Sequence, residues 1–415
     1  MEDIDVRRVI ETAARDSYGR LVAFLAARSR DVSAAEDALA DAFASALETW
    51  PRNGIPGKPE AWLLTVARNR MTDARRHARV RSEAVPTLLM IADEAHAMAD
   101  SNISFPDERL NLLFICAHSA IEAKARTPLM LQTLLGLDAV RIASAFLVQP
   151  AAMGQRLARA KRKIRDAKIA FEVPVASELP ARLEAVLDAI YAAYGSGWDD
   201  VAGADPRRRG LSFEAIDLCR MLLRLMPEPE VNGLLALMLY CESRHKARRN
   251  AGGDYVPLSE QDTAHWSRPM IDEAEQLLKT AARSGRIGRF QLEAAIQSVH
   301  AQRAVTGHTD WEAIALLYEG LVVHAPTIGA LVGRAAVVAE ARDTAVGWGL
   351  LEVIPTETVK CYQPYWALAA HLLARLQRTD EARTAYGHAI GLCEDPATRE
   401  FLTRRLQTLS ASSTG

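Results

Sequence analysis

Apolar positions recur at helical spacing along nearly the whole chain. Between Asp31 and Pro51, Ala35, Leu39, Ala42, Phe43, Ala46, Leu47 and Trp50 fall on one side of a helix, with Glu36, Asp37, Asp41 and Glu48 left for the other. Ser33 and Glu36 predict a capping box at its start, and Pro51 predicts its end. Pro59-Glu60 opens a second amphipathic segment in which Trp62, Leu63, Val66 and Met71 share a face and the cations gather late. Residues 138 to 168 predict a helix, a tight turn and a second helix. Val140, Ile142, Ala143 and Phe146 are the apolar positions of the first. Gln149-Pro150 breaks the run, because the residue before proline avoids αR while proline suits a first helical turn. On the helix that Pro150 opens, Met153, Leu157, Ala160 and Ile164 face a core. Gln155, Arg156, Arg159, Lys161, Arg162, Lys163, Arg165 and Lys168 face outward.

Between these segments Ser82 to Phe105 predicts a partly helical linker, and Thr127-Pro128 predicts the start of a further helix. From Glu178 onward the pattern is helical throughout, with glycine or proline at the joints. Three segments look alike: Glu214-Ala215, Glu312-Ala313 and Glu381-Ala382 are followed by Pro227, Pro326 and Pro396 at offsets of 13, 14 and 15 residues. Those prolines stand 99 and 70 residues apart, near multiples of a helix-hairpin repeat of ~34 residues. The clearest unit runs from Tyr365 to Pro396, with Ala369, Leu372, Leu373 and Leu376 on one helix and Ala382, Tyr386, Ala389 and Ile390 on its partner. The predicted fold is all-α, with domains at 1–82, 106–172 and 173–415 and a linker at 83–105.

Charge divides the chain unevenly. The net charge is -2, but residues 1 to 172 carry 25 Lys+Arg against 22 Asp+Glu and the remainder 25 against 30. Basic residues cluster further within the first part. Six arginines stand against one aspartate between 68 and 81, and seven cations against one aspartate between 156 and 168. Such density neutralises phosphates. Arginines beside Trp62 suit stacking on unpaired bases as well as phosphate contact, or else Trp62 is core and the arginines solvate the surface; the outward face of the Pro150 helix suits a major groove.

Other chemistries find little support. No Gly-x-x-x-x-Gly-Lys-Ser/Thr, Gly-x-Gly-x-x-Gly, Gly-x-Ser-x-Gly or His-Glu-x-x-His occurs, so the reading is non-enzymatic and without cofactor. Cys116, Cys219, Cys241, Cys361 and Cys393 are scattered and predict reduced thiols, and Cys116 with His118 is too small a set for a zinc site. Glu293 and His300 share a helix face, a spacing that suits a polar site but reads first as a structural hydrogen bond. The aromatic-acidic patch Tyr191, Tyr194, Trp198, Asp199 and Asp200 reads as a joint or a ligand mouth. With neither a leader nor a long apolar run, the expected location is cytoplasmic, away from membranes.

The order of parts resembles the extracytoplasmic-function sigma factors of bacterial RNA polymerase, over roughly residues 5 to 172. The resemblance implies that Glu36, Asp37, Asp41, Phe43, Glu48 and Trp50 contact core polymerase, through its β′ and β subunits. It implies that Trp62, Arg68, Asn69, Arg70, Asp73, Arg75 and Arg76 melt and read the minus-10 promoter element. Gln155, Arg156, Arg159, Lys161, Arg162 and Lys163 would read minus-35. Cys116-Ala117-His118-Ser119, where members usually show Cys-Cys-His-Pro, narrows the resemblance to a branch with a long tetratricopeptide-like extension. That extension would touch the sigma modules and regulate them in cis. Two other readings stay open: a helix-turn-helix regulator that never joins polymerase, and a DNA-binding module fused to a ligand-binding or enzymatic helical domain.

Overall fold

The computed structural model describes residues 3–77, 107–146, 148–175, 177–198 and 211–411, and among them every regular element is helical. The linker expected at 83–105 lies outside them. Two compact units result, Met1–Ala192 and Ala193–Gly415.

In the first unit α1 (Asp3–Ser29), α2 (Val32–Asn53) and α3 (Pro59–His77) pack on one another, and α1 also packs on α4 (Arg109–Cys116) and α5 (Ala123–Leu135). The cap of α2 is Asp31, not Ser33. Its carboxylate accepts from Ala34 N at 3.1 Å, which satisfies an orphan donor and sets negative charge at the positive end of the helix dipole. Nor does Pro51 end α2, which continues to Asn53 and closes at Gly54 with φ 89. Pro51 is exposed in the final turn, where it forfeits one intrahelical bond without forcing a break. Pro128 likewise sits inside α5, which already begins at Ala123. The bond it removes is one to the first turn.

Gly19 is required where α1 crosses α5, since a Cβ there would stand 2.2 Å from the Leu134 carbonyl oxygen. After α6 (Ala139–Ala145), extended Gln149 leads into α7 (Pro150–Asp166), the expected helix-turn-helix. Met153, Leu157, Ala160 and Ile164 are all buried in it. On α6 the expectation fails at one position: Ile142 and Ala143 are buried, but Val140 is 61% exposed, because a helix this short buries only one side of a single turn.

The second unit begins within α8 (Leu179–Trp198) and continues through α9 (Leu211–Leu225), α10 (Pro229–Ser243), α11 (Arg268–Ala282), α12 (Arg289–Thr306), α13 (Trp311–His324) and α14 (Ile328–Ala341). Then come α15 (Thr344–Glu352), α16 (Thr356–Val359), α17 (Gln363–Arg375), α18 (Thr379–Gly391) and α19 (Pro396–Ala411). Most packing is between near neighbours in the chain, as in stacked hairpins. The α17–α18 pair buries Ala369, Leu372, Leu373, Ala382, Tyr386 and Ala389, as the periodicity predicts, and Leu402 of α19 joins that core.

One segment departs from the all-helical expectation. Residues 244–267 form short 3-10 turns and one isolated antiparallel bridge, Arg249 with Tyr255, because Asn250, Gly252 and Gly253 favour a tight turn over a helix. Asn250 Oδ1 accepts from the amides of Gly252 and Asp254, each at 2.9 Å. Arg303 holds the segment from α12, donating to the carbonyls of Leu258, Ser259 and Gln261 at 2.8, 2.9 and 2.6 Å. From the other side comes the end of the chain. Arg249 pairs with Asp395 at 2.6 Å, Arg404 with Asp254 at 3.2 Å, and the Tyr255 and Phe401 rings meet at 5.4 Å.

Candidate nucleic-acid and partner interface

The cations of α7 stand off a buried apolar stripe, so packing alone aims them away from the core. Gln155, Arg159, Arg162 and Lys163 are exposed and Arg156 is half-buried. Lys161 is not free on the surface as the periodicity predicts. Its ammonium pairs with Glu36 of α2, and each side chain is only 11% exposed. A partner 125 residues away in sequence leaves no trace in local spacing. One turn on, Arg165 meets Asp31 at 3.8 Å.

On α2, Asp37, Asp41 and Glu48 are exposed, Glu36 and Phe43 half-buried, and Trp50 fully buried. Burial pushes the Glu36 carboxyl above its ordinary range, against the opposing pull of Lys161. The same desolvation, with the charges of Glu36 and Asp37, raises the Tyr18 phenol. Oε1 of Glu36 is buried and has no hydrogen-bond partner. This carboxylate is half satisfied.

Two expected contact residues prove to be core. Trp62 and Trp50 are both 0% exposed and meet edge to face with centroids 5.4 Å apart. Neither can reach DNA or a partner protein from there; the α2–α3 contact needs their volume. Elsewhere on α3, Arg68 is exposed, while Asn69, Arg70 and Asp73 are half-buried. The side chains of Arg75 and Arg76 lie outside the described residues, as do Arg79 and Arg81.

A groove of about 710 Å³ gathers several of these groups. Asp37 and Asp41 line one side, Arg70 of α3 another, and Arg165 and Lys168 stand at the end of α7, with Arg30 and Asp31 beside them. Thus the acidic face of α2, the basic part of α3 and the basic helix α7 converge. Asp31, Arg165 and Lys168 were not among the expected contact residues. Their signal was present as unassigned charge at the ends of α2 and α7.

Cys116 is buried with its Sγ 3.7 Å from the Thr133 hydroxyl, and His118 Nδ1 accepts from the Ala120 amide at 3.0 Å. Among the described residues no group of three or more His, Cys, Asp or Glu could hold a metal ion. Glu293 pairs with Arg289 at 2.8 Å, and His300 packs against Trp311 with ring centroids 5.7 Å apart. Tyr194 is buried, its hydroxyl 3.4 Å from the Glu242 carboxylate. The Trp198 side chain, Asp199 and Asp200 lie outside the described residues. None of the helices is long and apolar enough to cross a membrane among the described residues.

A model of sigma-70 region 2 matches residues 14–81, and a family of unknown function, DUF6596, matches 182–282. The first match contains all of α2 and α3. The uncharacterized protein R00370 of Rhizobium meliloti (strain 1021) is 38% identical over 387 residues, 92% of this chain and 91% of its own length. The probable RNA polymerase sigma factor RfaY of Xanthomonas campestris pv. campestris is 29% identical over 167 residues, 37% of this chain and 40% of its own. No solved structure matches.

Proposed function

We propose that this chain, which belongs to one family with R00370 of Rhizobium meliloti and carries a sigma-70 region 2 match, is an extracytoplasmic-function-type sigma factor with a regulatory helical extension. The observation that carries this reading is the succession, in one compact unit, of a region 2 match from within α1 through α3 and a helix-turn-helix whose second helix bears exposed cations.

In this reading the exposed carboxylates Asp37 and Asp41, four apart on α2, meet cations of a core polymerase helix, with Glu36, Phe43 and Glu48 around them. Arg68, Asn69, Arg70 and Asp73 act on the minus-10 element, the arginines on phosphates and on bases that leave the stack. Helix α7 enters the major groove at minus-35, where its early exposed residues Gln155, Arg156 and Arg159 approach base edges and Arg162 and Lys163 hold the backbone. Residues beyond α8 form a tetratricopeptide-like extension that sets the activity of the sigma modules in cis; its tether alone gives an effective concentration in the ~mM range. No catalytic role is assigned.

Run-off transcription with core RNA polymerase tests the reading, using the full chain and a version ending at Trp198. A promoter-specific transcript that needs the added chain is the expected result, with altered yield from the shorter version. A chain that binds duplex DNA yet never directs core polymerase is instead a regulator, and the proposal falls. Equal yield from both versions removes the role of the extension.

A further inference from the structure

Arg244 follows α10 directly and is only 8% exposed, so its guanidinium lies almost out of solvent. Nη2 donates to Oε1 of Gln297 on α12 at 2.6 Å and lies 3.8 Å from the Cys241 sulfur. Nη1 is buried with no hydrogen-bond partner. Arg303, further along α12, donates to the carbonyls of Leu258, Ser259 and Gln261, and its guanidinium stands 5.0 Å from the centre of the Trp266 ring. All these acceptors are uncharged. Among the described residues neither guanidinium pairs with a carboxylate, because the acidic groups on the same elements are engaged elsewhere. Glu242 faces His245 at 3.6 Å and Tyr194 at 3.4 Å, and Glu293 pairs with Arg289 at 2.8 Å.

Two further groups complete the cluster. His300 lies one turn from Gln297 on α12, and with its pKa pushed down to about 4 by burial and by the charges of Arg244 and Arg303 it is an uncharged ring at neutral pH, able to donate or to accept. Trp266 is buried, and its Nε1 is a second donor without a partner. The Ser267 amide donates to the Ser243 carbonyl at 2.8 Å, which ties the turn bearing Trp266 to the end of α10 beside Arg244. Gln297, His300 and Arg303 are half-buried, so the cluster reaches the surface along one side of α12.

We propose that Arg244, Arg303, His300 and Trp266 form a recognition site for a small oxyanion, a carboxylate or a phosphate, one oxygen of which accepts from Nη1 of Arg244. The assignment concerns the second unit alone and does not depend on the sigma factor reading. A buried guanidinium nitrogen without an acceptor is strongly unfavourable, whereas a charge-assisted bond to an oxyanion is among the stronger hydrogen bonds a protein makes. The two arginines also disfavour one another: desolvation first, and the charge of Arg244 second, hold Arg303 below the usual arginine range. A bound anion relieves both penalties. A buried water would satisfy the bond of Nη1 but leave the charge uncompensated.

Calorimetric titration of the full chain tests the site, with sodium phosphate in one arm and sodium succinate in the other, each against sodium chloride at equal ionic strength. Saturable one-to-one binding of at least one oxyanion is expected, and the arm that saturates identifies the source as phosphate or carboxylate. Arg244→Met, which keeps the apolar stem and removes the donors, should weaken that binding about tenfold or more. His300→Phe, which keeps a ring beside Trp311, should weaken it several-fold, and it carries the comparison if Arg244→Met does not fold. Arg286→Met, which removes an exposed cation of the same unit, should change little.

No saturable signal from either oxyanion would overturn the site, leaving a buried water as the partner of Nη1. Equal binding by the parent, Arg244→Met and His300→Phe chains would overturn it as well, since the anion would then be held by cations elsewhere in the chain.

Discussion

Trp62 meets Trp50 edge to face inside the first unit, with ring planes at 70° and neither ring exposed. An aromatic pair of this geometry adds about 0.5–1.5 kcal/mol to what burial alone supplies. Trp62→Ala should therefore destabilise the first unit by about 3–5 kcal/mol, read as a shifted denaturant midpoint, and Trp62→Phe by much less. If Trp62→Ala folds with parental stability and loses only DNA binding, the tryptophan is a base-stacking residue after all.

Promoter selectivity should divide the cations of α7. Arg156→Ala is expected to cost about 1–3 kcal/mol on the preferred minus-35 element and little on unrelated duplexes. Lys163→Ala should weaken all duplexes alike and lower the salt dependence of binding. Competition binding by the polymerase-loaded chain measures both. Unchanged selectivity in the Arg156 variant would remove α7 from base reading.

Ending the chain after Leu392 removes Asp395, Phe401, Leu402 and Arg404, and so one whole side of the 249–260 segment. The melting temperature of the second unit should drop by about 5 °C or more, and protease should cut near Gly252-Gly253 first. Arg249→Ala, which loses one partly buried pair, should cost only about 1 kcal/mol. A truncated chain that melts like the parent would show that α19 is dispensable.

His300 links the second unit to pH. Burial, with the nearby charges of Arg244 and Arg303, depresses its imidazole from the ordinary 6.5 to about 4. The unfolded chain therefore takes up this proton first as pH falls. Stability is intact above about pH 6.5 and is lost progressively down to about pH 4, by an amount on the order of 3 kcal/mol. His300→Phe abolishes the titration while keeping a ring against Trp311. Its pH–stability profile should be flatter than that of the parent in this window; identical profiles would refute the assignment.

What could be read before folding was local. The stripe Met153, Leu157, Ala160 and Ile164 lies within one helix, so a period alone locates it, and all four are buried. Pro150 opens α7 because proline restricts φ at its own position and the conformation of its neighbour. Most errors have non-local or competing causes. Ser33 and Glu36 have the spacing of a capping box, yet Asp31 claims the cap and Glu36 is drawn to Lys161. Trp62 carries both an apolar body and the chemistry of base stacking, and only the position of Trp50 decides between them. In the irregular segment 244–267 the turn signal of Asn250, Gly252 and Gly253 was local and went unread, while the tethers from Arg303, Asp395 and Arg404 are distant in sequence.

The contact between the 249–260 segment and α19 changes the kind of object the second unit is. A row of hairpins that touch only their neighbours can fray from either end, one repeat at a time. Here residues about 145–150 positions apart are joined, so α19 does not peel away without also releasing the 249–260 segment. The unit is a closed circuit, and its unfolding should be more cooperative than that of an open row. During synthesis the circuit stays open until α19 leaves the ribosome, long after the helix-turn-helix has emerged. A newly made chain thus passes through an interval in which its DNA-facing half is complete and its extension is not.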